Sequence, residues 1–565
     1  MEDNKDVLGG VFELNGQSMT EKQCHVHFDG VLLNAIDLRK DAAESPADIV
    51  SRLYQEKGTR CFDMLNGPFA VAIEDCRNGE RRLVLARDHH GQLGLCYRFA
   101  DGKVEYSTNV KRGGTIDIRA LGTYLSLGYI PAPMTIYQEW RKVPSGCVAV
   151  FSGDSVAVER FWTPELSQSC TLNFEDAVAR AKELIERAVG RCLAFDSDAG
   201  VLLSGGIDSN VVLSSAKKVL GAAPQAFTVG FSTEAFDERG LAALSAKAAG
   251  AEHITRLVEP TDYSVVREIL AAHPEPFADS SLLPDSMAMR LAAEHKKTVL
   301  TGDGGDELFG GYRRYRAMAM RDSIGELPSR IFGKALSLGM SILPRGASPR
   351  GKLATARRMA HAFSLPLIES YASFQELFKP NDVKQLYPAF ADVQGDYYDD
   401  WRRLFAECTA KGVAAKCNYI DLLTYLPDDG CVKEGMAASG TGLTVLSPLL
   451  DMDVTRFALS LPLEFKHNRS EGKRVLRAIA SSCLPDELMH IPKRGFGMPL
   501  SDWLRGPLAH LMNDCLSNQG TWDVENCLNP SILSMIIVMG HNSSAIDCGA
   551  GLWAINCLKE CEVLR

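Results

Sequence analysis

No stretch of the 565 residues strings together the roughly 18 apolar side chains that a membrane-spanning helix needs. Met1 to Asp6 are acidic and polar where a secretion signal would be basic and then apolar. The expectation is a cytoplasmic protein with no membrane partner. Positive charge is also scarce: the net charge is −10, which argues against a broad nucleic-acid surface. The basic clusters Arg313 to Arg316 and Lys352 to Arg358 read as solvated helix faces. Sixteen cysteines contain no Cys-x-x-Cys pair and no histidine at metal-ligand spacing, so neither a zinc module nor a disulfide framework is expected. Repeats and low-complexity tracts are missing too. What is present, 46% hydrophobic and 23% charged residues, is ordinary globular composition, and the length calls for more than one domain.

The most informative segment is Val201 to Ser209, VLLSGGIDS, an apolar strand running into a Ser-Gly-Gly loop with an aspartate and then a helical pattern. Adjacent glycines let the backbone approach an anion and aim successive N–H groups at it, and the Ser204 and Ser209 hydroxyls add donors. Asp208 supplies the carboxylate that a magnesium ion bridging phosphates requires. The order of residues is neither a Walker loop nor a dinucleotide fingerprint. A second strand, ending at Leu300, leads into Thr301 to Tyr312, TGDGGDELFGGY. In a parallel sheet both loops emerge at the carboxyl ends of strands, where open α/β folds bind ligands. Asp208 and Asp306 can then share a metal, with Asp303 and Glu307 nearby.

Along the chain, short β-like runs up to about Val150, such as Phe69 to Ile73, Arg82 to Ala86 and Val104 to Ser107, are separated by Gly, Asn and Asp turns. They predict a β-rich, layered αββα domain. After a proline-marked connector at Tyr129 to Thr135 the pattern changes to strand-helix alternation: a helix from Glu175 and strands at Ala199 to Leu203, Gln225 to Gly230 and Lys297 to Leu300. From Ala317 the chain reads as mainly helical, with a Pro/Gly-rich break at Pro344 to Gly351. The fold class expected is α/β, with domains at 1–160 and 161–565.

The segments Leu65-Asn-Gly-Pro-Phe-Ala, Arg87-Asp88 with Gly91, Gly128-Tyr-Ile-Pro-Ala-Pro, SGGIDS, Phe227-Thr-Val-Gly-Phe, Glu275-Pro-Phe-Ala-Asp-Ser-Ser, TGDGGDELFGGY, Tyr425-Leu-Pro-Asp-Asp and Lys493-Arg-Gly-Phe-Gly occur in this order. Together they resemble the asparagine synthetase B family over nearly the whole chain. That resemblance implies an N-terminal class II glutamine amidotransferase domain of Ntn-hydrolase type, joined to an ATP-pyrophosphatase synthetase domain. It implies ATP and Mg2+ as cofactors, a carboxylate attacking the α-phosphate of ATP to give an acyl-adenylate, and a nitrogen nucleophile displacing AMP. Ser204, Gly205, Gly206, Asp208 and Ser209 would cradle pyrophosphate, and Asp208 and Asp306 would hold the metal. Leu202, Val229 and Gly302 would contact adenosine. Lys493 would neutralise charge at the reacting phosphate. Asp303 would orient the incoming amine or take its proton, with Asp428, Asp429 and Glu434 as further acidic candidates. The family also suggests a homodimer.

Departures from the pattern sharpen the reading. A class II glutaminase uses an N-terminal cysteine as nucleophile, and alignment through Gly10-Val11-Phe12 places Asp6 there. The family's Asn-Gly-Glu becomes Asp29-Gly30-Val31, and its Ser-Glu before a lysine becomes Thr108-Asn109. The N-terminal domain is therefore expected to hydrolyse no glutamine. On the acceptor side the family's Val-Lys-Val-Asp-Arg-Ala becomes Val432-Lys433-Glu434-Gly435-Met436-Ala437, and its Glu and Arg further on become Thr444 and Leu446. Loss of arginines that pair bidentately with carboxylates predicts a pocket for something larger or less acidic than aspartate, lined by Met436 and Leu446. The β-lactam-forming relatives place tyrosine at the Asp303 position, so intramolecular ring closure is not matched there. The function expected is an AMP-forming amide ligase of specialised biosynthesis, joining a small-molecule or peptide carboxylate to an amine or ammonia. An ammonia-dependent asparagine synthetase, a nucleobase- or tRNA-modifying ATP-pyrophosphatase and a non-catalytic homologue are the alternatives.

Overall fold

The computed structural model describes residues 8–14, 24–77, 80–341, 351–489, 497–514, 528–529, 531–535 and 549–561. In the N-terminal part the strands are β1 (Gly9–Glu13), β2 (Cys24–Gly30), β3 (Phe69–Asp75), β4 (Arg82–Arg87), β5 (Cys96–Ala100), β6 (Lys103–Ser107), β7 (Trp140–Lys142), β8 (Cys147–Ser152) and β9 (Ser155–Arg160). They form two antiparallel sheets, ordered β1-β6-β5-β7 and β2-β3-β4-β8-β9. Strand periodicity explains the layering, because successive side chains point to opposite faces. On β3, Phe69, Val71 and Ile73 pack with Ile49, Val50 and Leu53 of the helix Pro46–Lys57. Ala70 and Ala72, between them, face the other sheet and its Phe12, Val104 and Tyr106. On β4 the same alternation sends Val84 and Ala86 to the helix and Leu83 and Leu85 to the sheet interface. Each large side chain buried this way contributes about 1.5–3 kcal/mol. The outer helix is fixed by Ser45, whose Oγ accepts from the Asp48 N–H while the Asp48 carboxylate accepts from the Ser45 N–H. On the far side, Cys96 and Trp140 join Ala120, Leu121 and Tyr124 of the helix Ile118–Leu127 in one core, completing the αββα arrangement.

The second part is built on a parallel sheet of β10 (Gly200–Leu202), β11 (Ala226–Phe231), β12 (His253–Val258), β13 (Thr298–Leu300) and β14 (Thr444–Leu446), in the order β12-β11-β10-β13-β14. Its inner strands are covered on both faces, as crossover helices require, so Val201, Phe227, Val229, Val299 and Leu300 are all buried. Strand β10 pairs with β11 on one side and β13 on the other. The chain order therefore reverses at β10, and the crevice beyond its carboxyl end is the place where such sheets bind ligands.

Strand β14 was not legible from periodicity. It lies in the acceptor segment, and its register of Thr444 with Thr298 and Leu446 with Leu300 makes it a sheet edge. Leu446 is fully buried and Met436 nearly so, in the main core. Their apolar character is explained by packing, and the pocket-lining role expected of them gives way to other residues. Among the described residues from Ala317 onward the chain is mainly helical as expected, with the short strand β14 among the helices. Pro344 to Arg350 of the Pro/Gly-rich break lie outside the described residues. The cluster Arg313 to Arg316 is not a solvated face throughout. Arg314 is largely shielded, pairs with Asp421 at 2.7 Å and stacks over Tyr312 with its guanidinium carbon 3.7 Å from the ring centre. Among the described residues no helix is long and apolar enough to cross a membrane.

Candidate functional site

Strand β10 ends in the loop Ser204–Gly206, and Gly206 caps the helix Ile207–Leu220. The loop is shaped by its own short side chains. Gly206 N–H donates to Ser204 Oγ at 3.0 Å, Ser204 N–H donates to Ser209 Oγ at 3.1 Å, and Asn210 Nδ2 donates to Gly206 O at 2.7 Å. Gly205 N–H donates to a carboxylate oxygen of Glu238 at 3.2 Å. That contact shows the donor's direction: it meets an anionic oxygen where a phosphate oxygen would be received.

Glycine lets the second loop close on the first. A Cβ on Gly302 would lie 2.8 Å from Asp208 Cβ and from Ser209 N, and one on Gly305 would lie 2.6 Å from Asp208 Cγ. Only glycine permits this approach. It brings the carboxylates of Asp208 and Asp306 to a common cation, the ammonium group of Lys473, which contacts Asp208 and lies 2.9 Å from Asp306 Oδ1. Burial works against the Lys473 charge, yet the two carboxylates outweigh it and hold the amine protonated.

These loops open into one cavity of about 440 Å³. Leu202, Ser204, Gly205, Gly206, Asp208, Ser209, Val229, Gly302, Asp303 and Asp306 all line it. Leu202 and Val229 share their wall with Phe227, Leu241, Ala288 and Met289, an apolar slot of the kind a purine ring fills. Another part of the lining is acidic. Asp279 and Asp285 line it with Lys433, whose Nζ lies 3.0 Å from Asp285 and 3.6 Å from Asp279 and donates to Ser281 Oγ at 3.0 Å. Burial pushes the Asp285 carboxyl up to about 6. Glu434, one residue on, accepts from Thr301 Oγ1 at 2.9 Å and from Ser447 Oγ at 3.2 and 3.3 Å.

Other named residues lie elsewhere. Lys493 is outside the described residues. Asp428 does not line the cavity: it accepts from Ala132 N–H at 2.8 Å and faces Arg87 Nη1 at 3.5 Å, both in the N-terminal part. Asp429 is buried behind the acidic end, where Tyr425 donates to it; desolvation and the nearby Asp279 hold its carboxyl well above the usual range. Glu307 sits behind the second loop, accepting from Tyr312 OH at 2.7 Å, with its carboxyl raised to about 7 by burial and by Asp306. The sequence reading missed Lys473, Lys433, Glu238 and Asp285. Lys473 left no sequence signal that points to this contact; in the structure it stands at the start of the helix Arg474–Ala480 with a φ of +56°.

The N-terminal motifs face the second part. Asn66 Nδ2 donates to Asp451 Oδ2 at 2.8 Å, and Asp451 also accepts from Arg191 at 2.7 Å. Arg87 reaches Pro427 O as well as Asp428. Val31, in place of the family's glutamate, is buried, and its N–H donates to Pro68 O.

Comparison with known proteins agrees with this division. A family model described as Asparagine synthase matches residues 180–559, and one described as Glutamine amidotransferase domain matches 11–162. A Mycobacterium bovis protein assigned as a glutamine-hydrolysing asparagine synthetase is 31% identical over 505 residues, covering 85% of this chain and 75% of its own. Asparagine synthetase (glutamine-hydrolysing) 1 of Bacillus subtilis is 26% identical over 509 residues, 87% of this chain and 79% of its own. A carboxyethyl-arginine β-lactam synthase of Streptomyces clavuligerus is 30% identical over 303 residues, 50% of this chain and 54% of its own. The chain belongs to the asparagine synthase family of carbon-nitrogen ligases, with a glutamine amidotransferase-like domain ahead of the ligase domain.

Proposed function

We propose that this chain is an ATP-dependent, AMP-forming amide ligase that adenylates a carboxylate and transfers the acyl group to an amine or to ammonia. The observation that carries the reading is the meeting of two glycine-built loops, Ser204–Gly206 and Gly302–Asp306, in one cavity with an apolar slot at one side and acid groups at the other. The backbone N–H groups and hydroxyls of the first loop bind the β- and γ-phosphates. Lys473 lies against them as a fixed positive charge. The reacting α-phosphate then faces the acidic end, where the nitrogen nucleophile enters beside Asp303.

Asp208 and Asp306 fit a magnesium ion by their chemistry: hard carboxylate oxygens from two loops, close enough to share one cation. Bound there with phosphate oxygens, Mg2+ would spread the negative charge of the leaving pyrophosphate. Lys493 and the adenosine contacts of Leu202, Val229 and Gly302 belong to the same proposal.

The N-terminal domain, residues 1–160, supplies no ammonia of its own on this reading. Asp6 stands where the nucleophilic cysteine belongs, Asp29 where the family has an asparagine amide expected to help the oxyanion, and Thr108-Asn109 where it has Ser-Glu. The retained Asn66, Arg87 and Asp88 serve the interface and the fold. Asp88 is fully buried and accepts from the backbone N–H groups of His90, Gln92 and Leu93 at 3.0 Å each. Resemblance to the β-lactam synthase over half of the chain supports a substrate-borne amine and a role in specialised biosynthesis.

The test is incubation with ATP, magnesium and a panel of carboxylic acids. AMP and pyrophosphate are expected, and production of ADP would reject the mechanism. Glutamate release from glutamine would reject the loss of glutaminase, and efficient asparagine formation from aspartate and ammonium would favour an ammonia-dependent asparagine synthetase instead.

A further inference from the structure

A surface helix ordinarily turns its large apolar side chains inward and its polar ones to water. The helix Glu326–Ser341 inverts that pattern. Its fully buried residues are small. Ser329 and Gly333 lie one turn apart, and a Cβ on Gly333 would stand 2.4 Å from Ser364 N and 2.5 Å from Phe363 C. Glycine thus seats this face directly on the end of the helix Lys352–Ser364, with Leu336 and Met340 half-buried beside it. The other large side chains point out: Leu327 is 66% exposed, Ile331 63%, Phe332 57% and Leu338 71%. At 100° per residue, Leu327, Ile331 and Leu338 fall within about 40° of one another and form one stripe. Met320 and Ile324, at the close of the helix Arg313–Ile324, are exposed as well.

Charge marks the same place. Residues 323–360 contain seven lysines and arginines and a single acid, Glu326, in a chain whose net charge is −10. Lys334 is exposed within the apolar stripe itself, between Ile331 and Leu338, and Arg330 flanks it. Arg357 Nη2 donates to Met340 O at 3.0 Å, which sets a cation at the carboxyl end of the helix, and Arg358 next to it is exposed. This combination selects an occupant. In a two-fold contact between copies each patch meets itself, so Arg330 and Lys334 would face like charge with only Glu326 to offset it. An anionic lipid surface answers both features, taking the apolar stripe into the boundary below its headgroups and pairing the cations with phosphate.

We propose that the outer face of the helix Glu326–Ser341 docks the protein on an anionic phospholipid surface, lying in the plane of the interface. The expectation of no membrane partner rested on the lack of a spanning segment, and an interfacial helix needs none. Leu327, Ile331, Phe332 and Leu338 enter the apolar boundary, Lys334 reaches up from among them to the headgroups, and the helix Lys352–Ser364 carries the contact back to the body of the protein. Neither side chain set belongs to the nucleotide cavity, so docking and ligation are separate properties of the chain.

The test is co-sedimentation of the full chain with vesicles of phosphatidylcholine alone and of phosphatidylcholine mixed in equal amounts with phosphatidylglycerol. Wild type should pellet with the mixed vesicles, stay in solution with pure phosphatidylcholine, and be released as salt is raised. Ile331→Asp combined with Leu338→Asp removes two apolar contacts at exposed positions and should weaken binding by about tenfold or more. Lys334→Glu reverses one charge in the stripe and should weaken it by about tenfold. Melting curves matching wild type show that the variants keep their fold. Failure of wild type to pellet overturns the proposal, as does equal pelleting of wild type and the apolar variant. A wild-type dimer that ignores vesicles and dissociates with Ile331→Asp also overturns it, giving the face to a second copy. Pyrophosphate release is measured without lipid, so failure of either reading leaves the other standing.

Discussion

The two ends of the cavity are built by different means. At the end proposed for phosphate the backbone sets the geometry: the loop N–H groups donate to Glu238 and Ser204, and glycine at 302 and 305 lets the second loop press on Asp208. At the end proposed for the acceptor the groups are side chains of Asp279, Asp285, Lys433 and Glu434, brought from separate helices and loops. Charge is handled differently as well. Two carboxylates hold one lysine at the first end, whereas at the second Lys433 serves Asp279 and Asp285 while Glu434 accepts from the hydroxyls of Thr301 and Ser447. The two glycine-built loops tolerate little change because their close approach leaves no room for a side chain at Gly302 or Gly305. The acceptor end can be re-specified by single side chains.

Substitutions test this contrast. Asp208→Ala is expected to have the largest effect, lowering pyrophosphate release by about 10²–10³-fold or more, measured with whichever acid supports turnover. Lys473→Met leaves Asp208 and Asp306 facing each other without their cation. It should cost about 3–5 kcal/mol in urea unfolding, and magnesium should restore part of the loss. Gly302→Ala places a methyl group against Asp208 and should cost about 1–3 kcal/mol, with a raised KM for ATP as the specific sign that the loops have parted. Asp285→Asn should have the smallest effect. The folded carboxyl titrates near 6, above its unfolded value, so its burden is absent at low pH and grows as the pH rises from about 4 towards 6. Melting curves of wild type and Asp285→Asn should diverge across that window and run parallel above it. Equal sensitivity of both ends to conservative changes would erase the distinction.

The same contrast decides what could be read from the chain. Strand-loop-helix order around Ser204–Ser209 is a local signal, and glycines adjacent to acids announce a close approach before any contact is known. Side chains delivered from far away leave no such trace. Lys473 reaches Asp208 across 265 residues, and its motif looks like an ordinary helix start. Met436 and Leu446 show the reverse error. Their apolar nature was visible, but only the β13–β14 pairing reveals that they pack inward while Lys433 and Glu434 face the cavity. In the N-terminal part β3 and β4 were legible as short β-like runs between turns, whereas the two cores that their alternate faces meet appear only in the fold.

Asp428 and Asp429 are neighbours on a π-helical turn, Leu426–Gly430, and they look in opposite directions. One accepts from Ala132 and faces Arg87 across the boundary between the two parts; the other is held by Tyr425 behind the acceptor end. Successive residues of any helical turn are rotated around its axis, so two chain neighbours can serve different partners. The practical consequence concerns modular engineering. A ligase half cut free at about residue 160 would lose both the amide and the guanidinium that accompany Asp428. Anyone wishing to transplant this half will need to carry its N-terminal partner with it, or rebuild that surface first.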